Sequence, residues 1–211
     1  HTTQNSRVTY TAGSSYKDSL LLPDGTAVYL QRGARLSWKK GFKERQIRLE
    51  EGEAFFKIAK DEQRSFSINA ANATIKVLGT AFNVRTSAAF TDVVVWEGKV
   101  SLAGDRLQPV ILRAGELGIV EANNAAASKL AGNYQYRCGW ANNELVFDKQ
   151  PVAVVVRILS AYYHVKLEVP DTLLNRRITV RFSHLPVNEA VGVLSAVLDH
   201  ELKIKSDTLI H

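Results

Sequence analysis

The sequence predicts a mainly β protein in two parts. The first is an all-β domain of short antiparallel strands, arranged as a sandwich, a roll or stacked β-structure. A small α+β domain with a duplicated β-α-β unit follows. Three observations lead there. Up to residue 120 the chain holds short, mostly alternating apolar segments divided by turn residues, and nothing of helical length and spacing. Residues 121–134 turn Ala- and Asn-rich and lose periodicity. The last third then repeats itself at a shift of 35 residues.

The strand candidates of the first part are residues 26–30, 46–50, 54–58, 65–69, 74–77, 93–96, 99–102, 110–112 and 117–120. Leu22-Pro23-Asp24-Gly25-Thr26 reads as a turn, because Pro23 fixes its own φ, Asp24 can bond a neighbouring backbone group and Gly25 tolerates the exit conformation. Glu51-Gly52 and Glu97-Gly98 read as similar breaks, each between two strand candidates. These signals place the first domain at residues 1–133, with 121–134 as a loose linker. The second domain spans 134–211, with Cys138-Gly139-Trp140 packing at the junction.

In the repeat, Phe147, Pro151, Val152, Val156, Leu159 and Leu167 fall on Phe182, Pro186, Val187, Val191, Leu194 and Leu202. Val152, Val155, Val156, Leu159 and Tyr163 recur at helical spacing, as do Val187, Ala190, Val191, Leu194 and Leu198. The run of β-branched residues after Pro151 favours a strand, but proline at a helix start and the three-to-four spacing outweigh it. Val146, Leu167, Val169, Ile178, Val180, Phe182, Leu202 and Ile204 then supply four strands of a small split-βαβ sheet with both helices on one face. Such a unit offers sheet edges to another chain, which reads as docking rather than chemistry. Its candidate partner-binding residues are Lys203 and Lys205 on the last strand, and Thr179 and Arg181 on the exposed sheet face.

A chain of 211 residues with 45% hydrophobic and 23% charged content is ordinary globular material for two small cores. No window approaches the roughly 18–20 apolar residues of a membrane span. With no Met and a first residue of His1, the expectation is a piece of a longer protein whose anchor or targeting segment lies upstream. The lone Cys138 excludes an internal disulfide framework. The formal charge of +6 belongs to the first domain: residues 1–143 carry 19 Lys and Arg against 13 acids, whereas 144–211 carry eight of each. Arg32, Arg35, Lys39, Lys40, Lys43, Arg45 and Arg48 form a basic stretch broken only by Glu44, with Trp38 and Phe42 interleaved. It reads as a solvated hairpin or as a surface for a headgroup or partner, not as a nucleic-acid interface.

No catalytic, cofactor or metal site is expected. Gly79, Thr80, Phe82 and Asn83 could form a ligand-binding turn. Their types fit better as a bulge at Gly79, a core Phe82 and an Asn83 bonded to a nearby turn. Asp24, Glu53 and Glu97 could be imagined as paired carboxylates, yet two of them sit beside turn glycines, where solvated acids are common. His164 and His200 each follow a predicted helix, where an imidazolium suits the helix dipole; His184 lies in a turn, and His1 and His211 are chain ends. None shows the pairing of a helical zinc site, and phosphate-loop, dinucleotide and nucleophile-elbow motifs are absent.

Four motifs in order are Leu22-Pro23-Asp24-Gly25-Thr26, Gly52-Glu53-Ala54-Phe55-Phe56-Lys57-Ile58, Val77-Leu78-Gly79-Thr80-Ala81-Phe82-Asn83-Val84 and Glu97-Gly98-Lys99-Val100. Together they resemble the FecR family of bacterial anti-sigma factors. Past Trp140 the chain resembles the secretin and TonB short N-terminal-like domain that ends many members. It departs from the pattern at Arg137-Cys138-Gly139 and at Ser37-Trp38-Lys39-Lys40, where a Tyr-Pro pair is common. The resemblance implies a periplasmic, non-catalytic signalling region, tied to the inner membrane by an upstream helix. Its partners would be the signalling domain of a TonB-dependent outer-membrane transporter and, through an upstream cytoplasmic segment, an extracytoplasmic-function sigma factor. The competing expectation is a carbohydrate- or envelope-binding β-module with an accessory docking domain.

Overall fold

The computed structural model describes residues 6–13, 17–104 and 108–205; His1 and His211 lie outside them. The chain divides into two compact units, residues 1–141 and 142–211.

The first unit is a sheet of thirteen strands folded over one long strand. In chain order they are β1 (Arg7–Thr11), β2 (Lys17–Leu21), β3 (Ala27–Gln31), β4 (Arg35–Lys39), β5 (Gln46–Lys57), β6 (Phe66–Ala70), β7 (Ala73–Val77), β8 (Ala81–Thr86), β9 (Phe90–Glu97), β10 (Lys99–Gly104), β11 (Val110–Arg113), β12 (Leu117–Glu121) and β13 (Asn124–Leu130). One half runs β1-β4-β5-β6-β7-β10-β11 and the other β2-β3-β5-β8-β9-β12-β13. All these pairs are antiparallel except β5 with β6. Alternation turns one face of each half inward. Leu36, Ile47, Ile68, Ile75 and Leu102 of the first half then meet Val28, Phe56, Phe82, Val93 and Val120 of the second in a single core.

Glu51-Gly52 does not end a strand. Gln46–Lys57 is one strand of 12 residues whose first part pairs in one half of the sheet and whose second part pairs in the other. Gly52 is the bend: its φ is +94°, and a Cβ there would lie 2.7 Å from the Ala34 Cα. Glu97-Gly98 is likewise a corner, carrying the chain from β9 in one half to β10 in the other.

The expected linker is also structured. Residues 124–130 form β13, paired with β12 across a register shift at Val120/Glu121. The segment shows no apolar alternation because β13 is an edge strand, with Ala127 its packed contact on the core. Strands β1, β2, β4 and β8 were likewise absent from the sequence expectation. β1 is mostly exposed and β2 at most half-buried, so neither has the fully buried apolar row that marks a strand. A 3-10 turn (Gln135–Cys138) and helix α1 (Gly139–Asn142) follow; Cys138, Trp140 and Ala141 pack on the outer face of the second half, against Phe55, Val94 and Leu117.

The second unit holds β14 (Glu144–Pro151), α2 (Val152–Tyr163), β15 (Lys166–Glu168), α3 (Asp171–Leu174), β16 (Arg177–Ser183), α4 (Val187–Leu198) and β17 (Lys203–Lys205). The strands form two separate two-stranded sheets, β14 with β16 and β15 with β17, in place of the expected single sheet of four. Corresponding strands of the two repeats therefore pair with each other, both antiparallel, as a local two-fold axis would require. Positions 35 residues apart also share backbone geometry: Lys149 and His184 have φ of 48° and 52°, Pro151 and Pro186 precede the helices, and His164 and Asp199 close them in the left-handed region. Leu159 and Leu194 are buried at equivalent places, and Phe147 meets Phe182 edge to face at 6.1 Å.

Gly52→Ala is expected to destabilise the first unit by about 2–4 kcal/mol, because it adds left-handed strain and a steric overlap with the Ala34 backbone. Urea denaturation followed by tryptophan fluorescence measures this, and an unchanged midpoint would contradict the bend assigned to Gly52.

Candidate functional site

Two buried polar networks absorb most of the motif residues. The first is built on the turn at residues 22–26. Asp24 accepts from the backbone N–H of Thr26 at 3.0 Å (Oδ1) and from the Thr26 hydroxyl at 3.0 Å (Oδ2), an Asx-type turn. Arg45 then donates from Nε to Asp24 Oδ2 at 2.8 Å and from its two Nη atoms to the carbonyls of Arg64 (2.7 Å) and Ala59 (2.6 Å). Its guanidinium also lies 5.6 Å from the Phe66 ring centre. Arg45 is 2% exposed, so it is not part of the basic surface in which the sequence places it. Spacing along the chain cannot show this, because every partner of Arg45 is at least 14 residues away.

The second network lies on the outer face of the second half-sheet. Cross-strand register sets Asn83 of β8 opposite Phe55 of β5 and Val94 of β9, the face that Trp140 covers. Trp140 Nε1 donates to Asn83 Oδ1 at 3.1 Å, and Asn83 Nδ2 donates to Glu53 Oε1 at 2.8 Å. Beside them Asp92 Oδ2 receives Arg85 Nη2 at 2.7 Å and Arg137 Nη2 at 2.9 Å. Asn83 thus bonds across strands rather than to a neighbouring turn, and residues 81–83 belong to strand β8 rather than to a ligand-binding turn. Phe82 is in the core, Gly79 lies against Lys60, and Thr80 donates to the Lys99 carbonyl at 2.9 Å beside Gly98. Burial raises the Glu53 carboxyl above its usual range, helped by the charge of Asp92 and opposed by the Asn83 bond and by Arg137 and Arg85. Burial also pushes the Cys138 thiol up, which leaves it a packed apolar group. Asp24 and Glu53 therefore sit in different networks, and neither forms a carboxylate pair with Glu97. Among the described residues no group of three His, Cys, Asp or Glu could hold a metal ion, and no helix is long and apolar enough to cross a membrane.

The exposed candidates remain accessible. Arg32, Arg35, Lys39, Lys40, Lys43 and Arg48 are exposed; Arg35 pairs with Glu50 at 2.9 Å and Lys39 with Glu44 at 3.0 Å. Phe42 is buried against Phe66, and Trp38 packs on the core, so neither ring belongs to that surface. In the second unit Lys203 and Lys205 point outward from β17 on either side of Ile204, with Lys205 3.1 Å from Glu168. Thr179 and Arg181 are exposed on β16; Thr179 donates to Asp148 at 3.2 Å and Arg181 pairs with Glu144 at 3.3 Å. Two surface grooves flank β17. One of about 510 Å³ is lined by Glu168, Pro170, His200 and Lys203, and one of about 400 Å³ by Asn188, Val191, Leu202 and Ile204.

Two outcomes follow from the networks. Arg45→Ala strips the half-buried Asp24 of its buried cation and leaves two backbone carbonyls without their donor, which should cost about 3–5 kcal/mol, whereas Arg48→Ala should change stability by less than about 0.5 kcal/mol; parallel denaturant titrations compare them. Because the folded-state pKa of Glu53 is raised, its contribution is fully present below the ordinary glutamate range and is lost as pH climbs through the raised value. Glu53→Gln keeps an acceptor for Asn83 without the charge, so its melting temperature should exceed that of the parent at pH 7–8 and converge with it near pH 4. A constant offset across that range would refute the assignment.

The FecR protein family model matches residues 8–101, and the FecR, C-terminal model matches residues 144–211. No curated protein matches the sequence. Two crystal structures of a candidate anti-sigma factor from Parabacteroides distasonis ATCC 8503, at 2.50 and 1.65 Å resolution, are similar to this chain with a TM-score of 0.58 and 22% identity. They cover 96% and 95% of this chain and all of their own, a likeness of fold. With both regions of the family matched in order along one sequence, the chain belongs to the FecR family of anti-sigma factors.

Proposed function

We propose that this chain is the periplasmic receiving region of a membrane-anchored anti-sigma factor. In this reading the second unit takes a signal from the periplasmic domain of a TonB-dependent outer-membrane transporter. The state of the chain then regulates an extracytoplasmic-function sigma factor held by an upstream segment, with no catalytic step in the residues described. The observation that carries this is the pairing of the two family regions, residues 8–101 with 144–211. Membership of an anti-sigma family itself implies a sigma-factor partner.

The second unit has the chemistry that docking by strand addition needs. Each of its two-stranded sheets leaves one side of every strand without a neighbouring strand among the described residues. β17 is only three residues long, with a lysine on each side of half-buried Ile204, so it discourages self-pairing while keeping main-chain donors and acceptors for a partner. Among the described residues the exposed large apolar side chains are Val8, Leu21, Leu78, Ile111, Leu130 and Val193. None is aromatic, whereas stacking against a sugar ring calls for one.

The test is titration of the chain with the periplasmic signalling domains of the TonB-dependent transporters of its own organism. Lys203→Ala should bind as the parent does, since a strand ladder uses main chain. Lys203→Pro, shown by circular dichroism to be folded, should bind at least tenfold more weakly, because proline constrains φ and removes a donor. Equal affinity of the folded proline variant and the parent would move docking to the face carrying Thr179 and Arg181. Absence of any binding by the parent would overturn the transporter reading.

A further inference from the structure

We propose that the outer face of the first half-sheet carries an oxyanion site for a phosphate-bearing ligand, centred on Arg7, Lys39 and Arg48. Strand register brings the three together: Arg7 of β1 lies opposite Lys39 of β4, and Arg48 of β5 lies opposite Ser37, two residues along β4 from Lys39. They face away from the core because the alternate residues of β4 and β5, Leu36, Trp38, Ile47 and Leu49, pack into it. Between them is a cavity of about 200 Å³, whose lining also includes Gln46 and Asn69. At about 30 Å³ per water, that is room for a phosphate group and part of its hydration.

The charge balance at the cavity favours an anion. Glu44 engages Lys39 at 3.0 Å, while Glu50 is already held by the Ser37 hydroxyl at 2.9 Å and by Arg35 at 2.9 Å. Arg7 donates one Nη2 bond to Ser37 Oγ at 3.1 Å and keeps further donors. The Arg48 side chain makes no hydrogen bond or ion pair within the described residues. Two guanidinium forks and an ammonium around one concavity, whose lining also holds the residues Gln46 and Asn69, match the oxygens of a phosphate group. A single-stranded nucleic acid would need stacking rings beside the cations, and Trp38 and Phe42, interleaved with them in the sequence, are turned into the core. A phosphate group, free or on a lipid headgroup, is the ligand that fits. The site lies wholly in the first unit and does not depend on the transporter reading.

The experiment compares the parent with Arg7→Gln/Arg48→Gln and with Arg32→Gln/Lys43→Gln, which removes the same charge from elsewhere on the exposed basic surface. The probes are inorganic phosphate, glycerol 3-phosphate, and phosphatidylglycerol vesicles against phosphatidylcholine vesicles, at about 0.15 M salt. At about fivefold per cation, the first double variant should lose roughly 25-fold in affinity for whichever probe binds, and the second should stay close to the parent. Saturable binding of the soluble phosphates assigns a free oxyanion, and binding to phosphatidylglycerol vesicles alone assigns a headgroup. Equal losses in the two double variants, both with unchanged melting curves, would reduce the site to diffuse surface charge and overturn the proposal. Absence of binding by the parent to any of the phosphate probes would also overturn it.

Discussion

The passage of one strand through both halves of the first unit is the constraint on which the remaining structure rests. β5 supplies Ile47 and Leu49 to one side of the core and Ala54 and Phe56 to the other, so neither half can form its sheet without it. That sharing requires a bend within a strand that stays paired on both sides of it, and it brings Gly52 against the Ala34 backbone at a distance no side chain tolerates. At Gly118 the halves press equally close, since a Cβ would sit 2.6 Å from side-chain carbons of Leu102 and Leu112. Interiors packed to this density respond to the addition of a single methyl group.

Around that strand the motif residues act as fasteners. Arg45 ties the Asp24 turn to the carbonyls of Ala59 and Arg64, so the segments around β3, β5 and β6 are fixed by one side chain. Trp140 reaches back through Asn83 to Glu53 and seals the outer face of the second half. Both devices bury charge or polar atoms with partners, and losing a partner costs more than the bond itself contributes. These motif residues thus describe how the unit is held together, while accessible side chains are left to the uncovered face of the first half and to the second unit.

The second unit is built by duplication. Two copies of strand–helix–strand, each too small to bury its own apolar stripe, pair first strand with first and last with last, and the helices carry the stripes. Sheets of only two strands leave unpaired main chain at their margins.

The sequence by itself determined the mainly β character, the repeat with its proline-started helices, and the family. Each rests on local periodicity or on short-range spacing, which the chain carries wherever it folds. It was silent on β13 and on the edge strands β1 and β2, because strands with no fully buried row need no apolar alternation. It misread Gly52, because a bend inside a paired strand and a turn between strands ask for the same residue. Only the tertiary structure decided that Arg45 leaves the basic surface for the interior while Arg7 joins it, and that Asn83 meets Trp140 across 57 residues. It also decided that the last four strands make two pairs instead of one sheet. Those outcomes depend on which distant strands become neighbours, and cross-strand contact is set by register between segments rather than by the order of residues within one.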